Sequence, residues 1–311
     1  MSDRAEPDRS PRAGRCAIVG RPNVGKSTLL NAVVGQKLAI TTERPGTTRA
    51  CVLGVLVSAD PLTQIAFVDT PGVARPRTAL HRVLVDEARG GMLDADVMLF
   101  LTEVGRRAED GIPEADMAVL EAVKQASLPT ILAINKVDRV RHKRRLLPLM
   151  DAFGKAHPMA AIVPISARHG TNLEVLLAEI RQLLPEGWMY DDKDFLTDRP
   201  ERFLAGELVR EAVMRHTRDE VPYGVAVGIS EFTQEGSLVR ISVTIVVEKE
   251  SQRGIVIGAG GSLLKTIGTE ARVAIEELLG RRVHLSTWVK VMPGWTRNPD
   301  VVRRLTAGSM P

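Results

Sequence analysis

In the first part of the chain, short apolar runs alternate with stretches of helical spacing. The runs are residues 16–19, 51–57, 65–68, 97–101, 130–134 and 161–165, and apolar positions recur at helical intervals through 28–34, 117–124 and 173–183. Strand-length runs separated by amphipathic helices predict an α/β fold, with a mostly parallel sheet and helices on both faces. Ligands of such sheets sit beyond the carboxyl ends of the strands, so the loops that leave the runs are where chemistry is expected. The periodicity then stops. Residues 185–194 combine Pro185, Gly187 and clustered acids, and read as a linker. Beyond it, Pro200 suits the first turn of a helix whose apolar positions are Phe203, Leu204, Leu208, Val209 and Val213. Strands follow at 225–232 and 239–247, then a helix at 263–279 and a last strand at 283–291, a small α+β domain. The expected partition is a polar, disordered tail over 1–14, an α/β domain over 15–185, a linker over 186–198, an α+β domain over 199–295 and a C-terminal tail over 296–311.

Composition narrows the partners without naming them. A length of 311 residues with 44% apolar content accommodates two domains with ordinary cores. A net charge of +4 and a pI near 9.2 permit a nucleic-acid partner but do not require one. Cys16 and Cys51 have no metal-ligand spacing and are expected to be buried, reduced thiols of a cytosolic protein. No run of about 18 apolar residues exists, and residues 1–14 lack the apolar core of a signal peptide.

The loops carry the chemistry. Gly20-Arg21-Pro22-Asn23-Val24-Gly25-Lys26-Ser27 meets every fixed position of the phosphate-binding pattern G-x-x-x-x-G-K-[ST]. Its glycines let backbone N–H groups turn toward phosphate oxygens, and the helix that opens there adds its dipole. The expected cradle is Gly20, Asn23, Val24, Gly25, Lys26, Ser27 and Thr28, with the Lys26 charge at the β/γ phosphates and the Ser27 hydroxyl on Mg²⁺. Asp69-Thr70-Pro71-Gly72 closes the third run; Asp69 can hold a Mg²⁺-bound water, and the Gly72 N–H can reach the γ-phosphate. Asn135-Lys136-Val137-Asp138 follows the fifth run. A carboxylate at Asp138 accepts from the N1–H and N2 amine of guanine, whereas adenine would leave it unpaired, at a cost of ~1–3 kcal/mol. The stem of Lys136 can lie over the base. Ser166-Ala167 follows the sixth run and would offer the Ala167 N–H to guanine O6. In Pro45-Gly46-Thr47-Thr48-Arg49 a threonine hydroxyl, Thr48 in preference to Thr47, would be a second Mg²⁺ ligand whose release on hydrolysis makes a switch. The reacting phosphate would then be surrounded by Lys26, Thr48 and Gly72, and the metal by Ser27, Thr48 and, through water, Asp69.

The second domain has its own signal, Ile257-Gly258-Ala259-Gly260-Gly261, ahead of a helix opening near Ser262. A G-x-x-G turn of this kind presents backbone amides to the backbone of single-stranded nucleic acid, clamping about four nucleotides. Gly258, Ala259, Gly260, Gly261 and Lys265 are the expected RNA contacts, with Arg253, Arg281 and Arg282 as further phosphate partners. Aromatic content of 4% argues against a stacking platform. Arg139, Arg141, His142, Lys143, Arg144 and Arg145 form a second basic cluster, expected as a solvated helix face.

Taken together, these residues resemble the Era family of ribosome-associated GTPases, from about Arg15 to Trp295. The five nucleotide motifs in order carry the resemblance, with Thr197-Asp198-Arg199-Pro200-Glu201-Arg202-Phe203, Val221-Pro222-Tyr223, Val256-Ile257-Gly258-Ala259-Gly260-Gly261 and the closing Trp288-Val289-Lys290-Val291. The resemblance implies a P-loop GTPase domain followed by a type II KH domain, GTP/GDP and Mg²⁺ as ligands, and binding to the 3′ end of small-subunit ribosomal RNA during maturation of that subunit. It also implies K⁺ against the phosphates at Asn23. The chain is expected to act as a monomer in the cytoplasm; a basic amphipathic surface could serve lipid as well as RNA, so peripheral contact with the inner face of the cell membrane stays open. Three features depart from the family. The switch segment reads Pro-Gly-Thr-Thr-Arg where Gln-Thr-Thr-Arg is more usual. The stretch Val73–Asp94, with Gly90-Gly91 near its end, departs from the family's helix, and the polar N-terminal extension is unusual. Val73 cannot orient water where small GTPases often place a Gln. Slow intrinsic turnover is therefore expected, and the competing reading is a nucleotide-binding RNA-assembly module that hardly hydrolyses.

Overall fold

A computed structural model of the chain describes residues 10–42, 44, 46–72, 79–104 and 111–310. Its packing divides into two compact units.

The first unit comprises the described residues up to Gln36, Val52–Thr70 and Arg89–Asp198. It opens with β1 (Arg12–Val19) and α1 (Lys26–Val34), then β2 (Val52–Ala59) and β3 (Leu62–Asp69). The helix α2 (Ala79–Leu93), of which Arg89–Leu93 belong to this unit, leads to β4 (Val97–Glu103), α3 (Glu114–Ala126) and β5 (Thr130–Asn135). The last elements of the unit are α4 (Leu147–Ala156), β6 (Ala161–Pro164) and α5 (Leu173–Leu183). The six strands form one sheet in the order β2-β3-β1-β4-β5-β6, parallel except for β2, which runs antiparallel to β3. β4 and β5 are near-continuous apolar runs buried along their length, as strands covered on both faces must be. β1 lies between β3 and β4, so the chain turns to opposite sides of it and leaves a crevice at its carboxyl end. β1 begins at Arg12 and so takes in the last residues of the segment expected as a tail; the Ala13 N–H donates to Pro185 O and the Arg12 guanidinium to Leu184 O. The Gln64 side chain bonds the backbone of Met189 and Tyr190, which ties the linker to β3.

The second unit holds Arg199–Pro311 together with Lys37–Cys51 and Pro71–Ala88, so two segments read as part of the first domain pack with the second. Its elements are α6 (Glu201–His216), β7 (Ala226–Glu235), β8 (Leu238–Val247), α7 (Glu250–Ile257), α8 (Ser262–Leu279), β9 (Arg282–Val291) and α9 (Pro299–Thr306). β8 is central, antiparallel to β7 and parallel to β9. The alternating inward residues Val239, Ile241, Val243 and Ile245 of β8 pack with Leu208, Val209 and Val213 of α6 and Ile267, Ala271 and Ile275 of α8. Pro200 precedes the first helical residue of α6 instead of occupying it. The C-terminal segment is no tail: Asn298 caps α9 by accepting from the N–H groups of Asp300 and Val301. Trp295, Val302 and Leu305 then form a core with Leu80, Val83, Leu84, Ala226 and Val246.

Candidate functional site

The first unit gathers its motifs at the carboxyl ends of β1, β3, β5 and β6. After β1, Gly25 adopts φ 102°, and a Cβ there would stand 2.4 Å from Asn135 Nδ2; only glycine allows the loop to lie this close to the β5 loop. Lys26 opens α1 and is 6% exposed, its ammonium donating to Gly20 O at 3.0 Å and Arg21 O at 3.1 Å. Burial pushes its pKa down to about 8, with Asp69 pulling the other way. A phosphate at this loop would supply the missing counter-charge. The Ser27 hydroxyl donates to Asp69 Oδ2 at 2.6 Å, and the Thr70 hydroxyl anchors the end of β3 to Ile18 O.

A hydroxyl and a fully buried carboxylate at this spacing are hard oxygen donors that fit Mg²⁺. No group of three or more His, Cys, Asp or Glu that could hold a metal exists among the described residues, so such an ion would depend on phosphate oxygens to complete its shell.

The base motif is equally organised. Asn135 is buried at the end of β5, donating from Nδ2 to Val24 O at 2.8 Å and accepting at Oδ1 from the Ala167 N–H at 2.9 Å. One side chain thus links the phosphate loop to the Ser166-Ala167 loop. Lys136 takes φ 62° and donates to Asn23 O at 2.6 Å. Asp138 accepts from the Ser166 hydroxyl at 2.6 Å, and this hydrogen bond holds its carboxyl below the usual range, so it remains an acceptor. An acceptor carboxylate of this kind is what guanine N1–H and N2–H₂ would require.

The structure therefore brings together Gly20, Asn23, Val24, Gly25, Lys26, Ser27, Thr28, Asp69, Asn135, Lys136, Asp138, Ser166 and Ala167 within one unit. Thr48 and Gly72 fall in the two segments that pack with the second unit. Val73 and Pro45 lie outside the described residues. In the first switch segment the Thr47 hydroxyl is engaged by Thr42 at 2.6 Å and Arg44 O at 2.7 Å. Lys37 pairs with Glu211 at 2.5 Å, the Thr41 N–H donates to the same carboxylate at 3.0 Å, and Arg210 donates to Thr47 O. Arg49 is buried, giving hydrogen bonds to Val225 O at 2.6 Å and Tyr223 O at 3.0 Å and lying 5.7 Å from the Trp295 ring. Burial, reinforced by Arg210, lowers its pKa to about 9.

In the second unit α7 ends at Ile257, and Gly258 turns the chain at φ 72°, where a Cβ would meet that of Leu263 at 2.7 Å. Ala259, Gly260 and Lys265 are exposed, whereas the Gly258 and Gly261 N–H groups donate to Gly254 O at 2.9 Å and Gly258 O at 3.2 Å. Arg253 pairs with Glu250, and Arg281 with Glu201 and Gln234, so two of the expected phosphate partners are engaged within the unit. The basic residues after Asp138 are exposed as expected, but on 3₁₀ turns (Arg139 in Val137–Arg139, and Lys143, Arg144 and Arg145 in Lys143–Leu146) and the link between them (Arg141, His142), instead of an α-helix face. Cys16 is fully buried with its thiol pKa raised by desolvation, whereas Cys51 is only half-buried and donates to Glu87 O.

Sequence reading passed over Arg21, Glu103 and Asp116. Glu103 lies 3.1 Å from Arg21 and 2.6 Å from Lys136, and Arg21 lies 3.1 Å from the buried Asp116. An acid closing an apolar strand at the carboxyl edge of the sheet was the available signal.

Against this geometry, residues 15–136 match the family model described as 50S ribosome-binding GTPase, and residues 220–296 match the KH domain. The chain is similar to GTPase Era of Syntrophus aciditrophicus, 44% identical over 294 residues and 94% of each chain. It is also similar to GTPase Era of Pseudomonas aeruginosa PAO1, 44% identical over 300 residues and 96% of each. A crystal structure of Era in complex with MgGDPNP and nucleotides 1506–1542 of 16S ribosomal RNA superposes with a TM-score of 0.90 at 41% identity, covering 96% of this chain and 99% of that one. A tyrosine-to-alanine variant of Aquifex aeolicus Era bound to GDP·AlF4⁻ gives 0.89 at the same identity and coverage.

Proposed function

The chain belongs to the Era family of GTPases, and on that premise we propose that it is a GTP-driven switch whose KH unit binds the 3′ end of small-subunit ribosomal RNA during assembly of that subunit. The observation that supports the reading is one chain holding both the Asn135–Asp138 motif, with Asp138 set by Ser166 and Asn135 joining Val24 to Ala167, and a G-x-x-G turn exposed at Ala259 and Gly260. The rRNA and MgGDPNP in the similar crystal structure support the same ligand classes here.

Hydrolysis is attack by water on the γ-phosphorus, with the bond to the bridging oxygen breaking ahead of the new bond in a loose transition state. Charge therefore builds on the β–γ bridging oxygen. Lys26 is held beside the phosphate loop to meet that charge, and the Gly72 N–H is assigned to a γ-phosphate oxygen. Ser27, Thr48 and Asp69, the last through water, are the residues that would hold Mg²⁺, which when bound neutralises phosphate charge and orients the chain of phosphates. With Val73 unable to orient water, the remaining deficit is assigned to K⁺ at Asn23. The reading makes the protein a monomer of the cytoplasm. Among the described residues no helix is long and apolar enough to cross a membrane.

Multiple-turnover phosphate release tests the reading. Turnover should be slow alone, rise with small ribosomal subunits, and be faster in KCl than in NaCl at matched ionic strength, with Asn23→Ala removing the salt difference. Turnover unaffected by subunits would overturn the switch, and equal rates in both salts would remove the cation.

A further inference from the structure

β4 ends in a carboxylate shared by cations from two different loops. Glu103 Oε1 lies 3.1 Å from Arg21 Nη2 in the phosphate loop, and Oε2 lies 2.6 Å from Lys136 Nζ in the guanine loop. Behind Arg21, its Nε lies 3.1 Å from Oδ1 of Asp116, which is fully buried on α3 and accepts from the Thr102 hydroxyl at 2.7 Å. Lys136 also reaches Asn23 O, so its ammonium touches both the phosphate loop and the end of β4. An acid beside an anion-binding loop needs explanation, because alone it would repel the nucleotide. Two cations neutralise it here, so what it contributes is geometry.

We propose that Glu103 is a positioning residue for nucleotide binding, yoking the phosphate loop to the guanine loop through Arg21 and Lys136; this rests on the GTPase reading above. The ends of a guanine nucleotide are fixed by its covalent structure, so a site that holds both must present its two loops at one spacing. The hydrogen bonds of Asn135 set that spacing from the inner side, and Glu103 sets it from the rim. Asp116 and Thr102 fix Arg21 from beneath, so the yoke is braced on α3 and β4. Without the carboxylate, Arg21 and Lys136 lose their common counter-charge, and nucleotide binding must bear the ordering of both loops. The same contacts serve ground and transition states, so the loss falls on uniform binding and not on the chemical step.

The test is Glu103→Gln in the full chain. The Kd for GDP and the KM for GTP should both rise about tenfold, the worth of one part-buried ion pair, while kcat stays within about twofold. The preference for GDP over IDP should match the parent, because Asp138 reads the N2 amine independently. Arg21→Gln should also weaken binding, and the double variant should lose clearly less than the two single losses multiplied, because one yoke is being cut twice. A merely structural Glu103 would lower stability and the active fraction without moving KM. If Glu103→Gln does not fold, Glu103→Asp, which keeps the charge but shortens the reach, should reproduce the KM rise at constant kcat. Unchanged Kd and KM, a fall in kcat at constant KM, or fully independent losses would each overturn the proposal. Failure of the parent itself to hydrolyse GTP would instead overturn the reading on which it rests.

Discussion

On the proposed function, Asp138 would discriminate through what it refuses. Its carboxylate is held below the usual range by the Ser166 hydroxyl and can only accept, so a base edge without donors would offer it no hydrogen bond. Asp138→Asn reverses one of those roles by adding an NH₂ donor, which suits the carbonyl that xanthine carries where guanine has its amine. The variant should exchange GTP preference for XTP preference, each inverted hydrogen bond being worth ~1–3 kcal/mol or roughly ten- to a hundredfold. Competition binding of GDP against XDP measures it, and retained guanine preference would show that Asp138 does not read the base. At this scale Lys26, Ser27, Asp69, Asn135 and Asp138 could be named from the sequence because each stands at a fixed offset from a strand end. Arg21, Glu103 and Asp116 could not, since their ion pairs join three separate stretches of chain.

An element can be right in kind yet wrong in its neighbours. The G-x-x-G turn lies where the glycines put it, between α7 and α8 with Ala259 and Gly260 exposed. Changing Ala259 and Gly260 together to Asp should leave the fold intact, because Ala259 is at the surface and Asp is tolerated at the φ of 57° that Gly260 adopts. Two carboxylates would then stand beside the Ala259 and Gly260 amides, repelling an RNA backbone. Affinity for a small-subunit 3′-end RNA should fall by about a hundredfold or more while GDP affinity matches the parent. Fluorescence anisotropy with labelled RNA decides this, and undiminished RNA binding would reduce the turn to a helix connection. α6 teaches the converse. Its apolar positions were legible, but the burial of Arg210 and Glu211, each 2% exposed, against Thr47 and Lys37 was not. A short-range pattern reports which face of a helix is apolar; it does not report what covers the other face.

For the whole molecule, chain order and packing disagree. Ile40 belongs to the core beneath α6, and Leu80, Val83 and Leu84 to the core around Trp295. Arg49 satisfies carbonyls at Tyr223 and Val225. A fragment beginning at Arg199 would lack all of these, exposing apolar surface and leaving backbone acceptors without donors. Such a fragment should bind a hydrophobic dye and show faster amide exchange in β7 and α9 than the same elements do in the full chain. Equal protection in fragment and full chain would mean that Lys37–Cys51 and Pro71–Ala88 add nothing to the second unit's stability.

By itself the sequence determined the strand and helix alternation, the α/β class, the nucleotide loops and the G-x-x-G turn. All of these are local: hydrophobic periodicity, glycine conformation and offsets from strand ends act over a few residues. Only the tertiary structure decided that 37–51 and 71–88 pack with the second unit and that β1 starts at Arg12. It alone placed α9 in a core and set Glu103 between the two nucleotide loops. Those outcomes depend on buried ion pairs and apolar contacts between residues distant in the chain. Their free energy exists only once the sheet has set strand ends side by side, and no window along the sequence contains both partners.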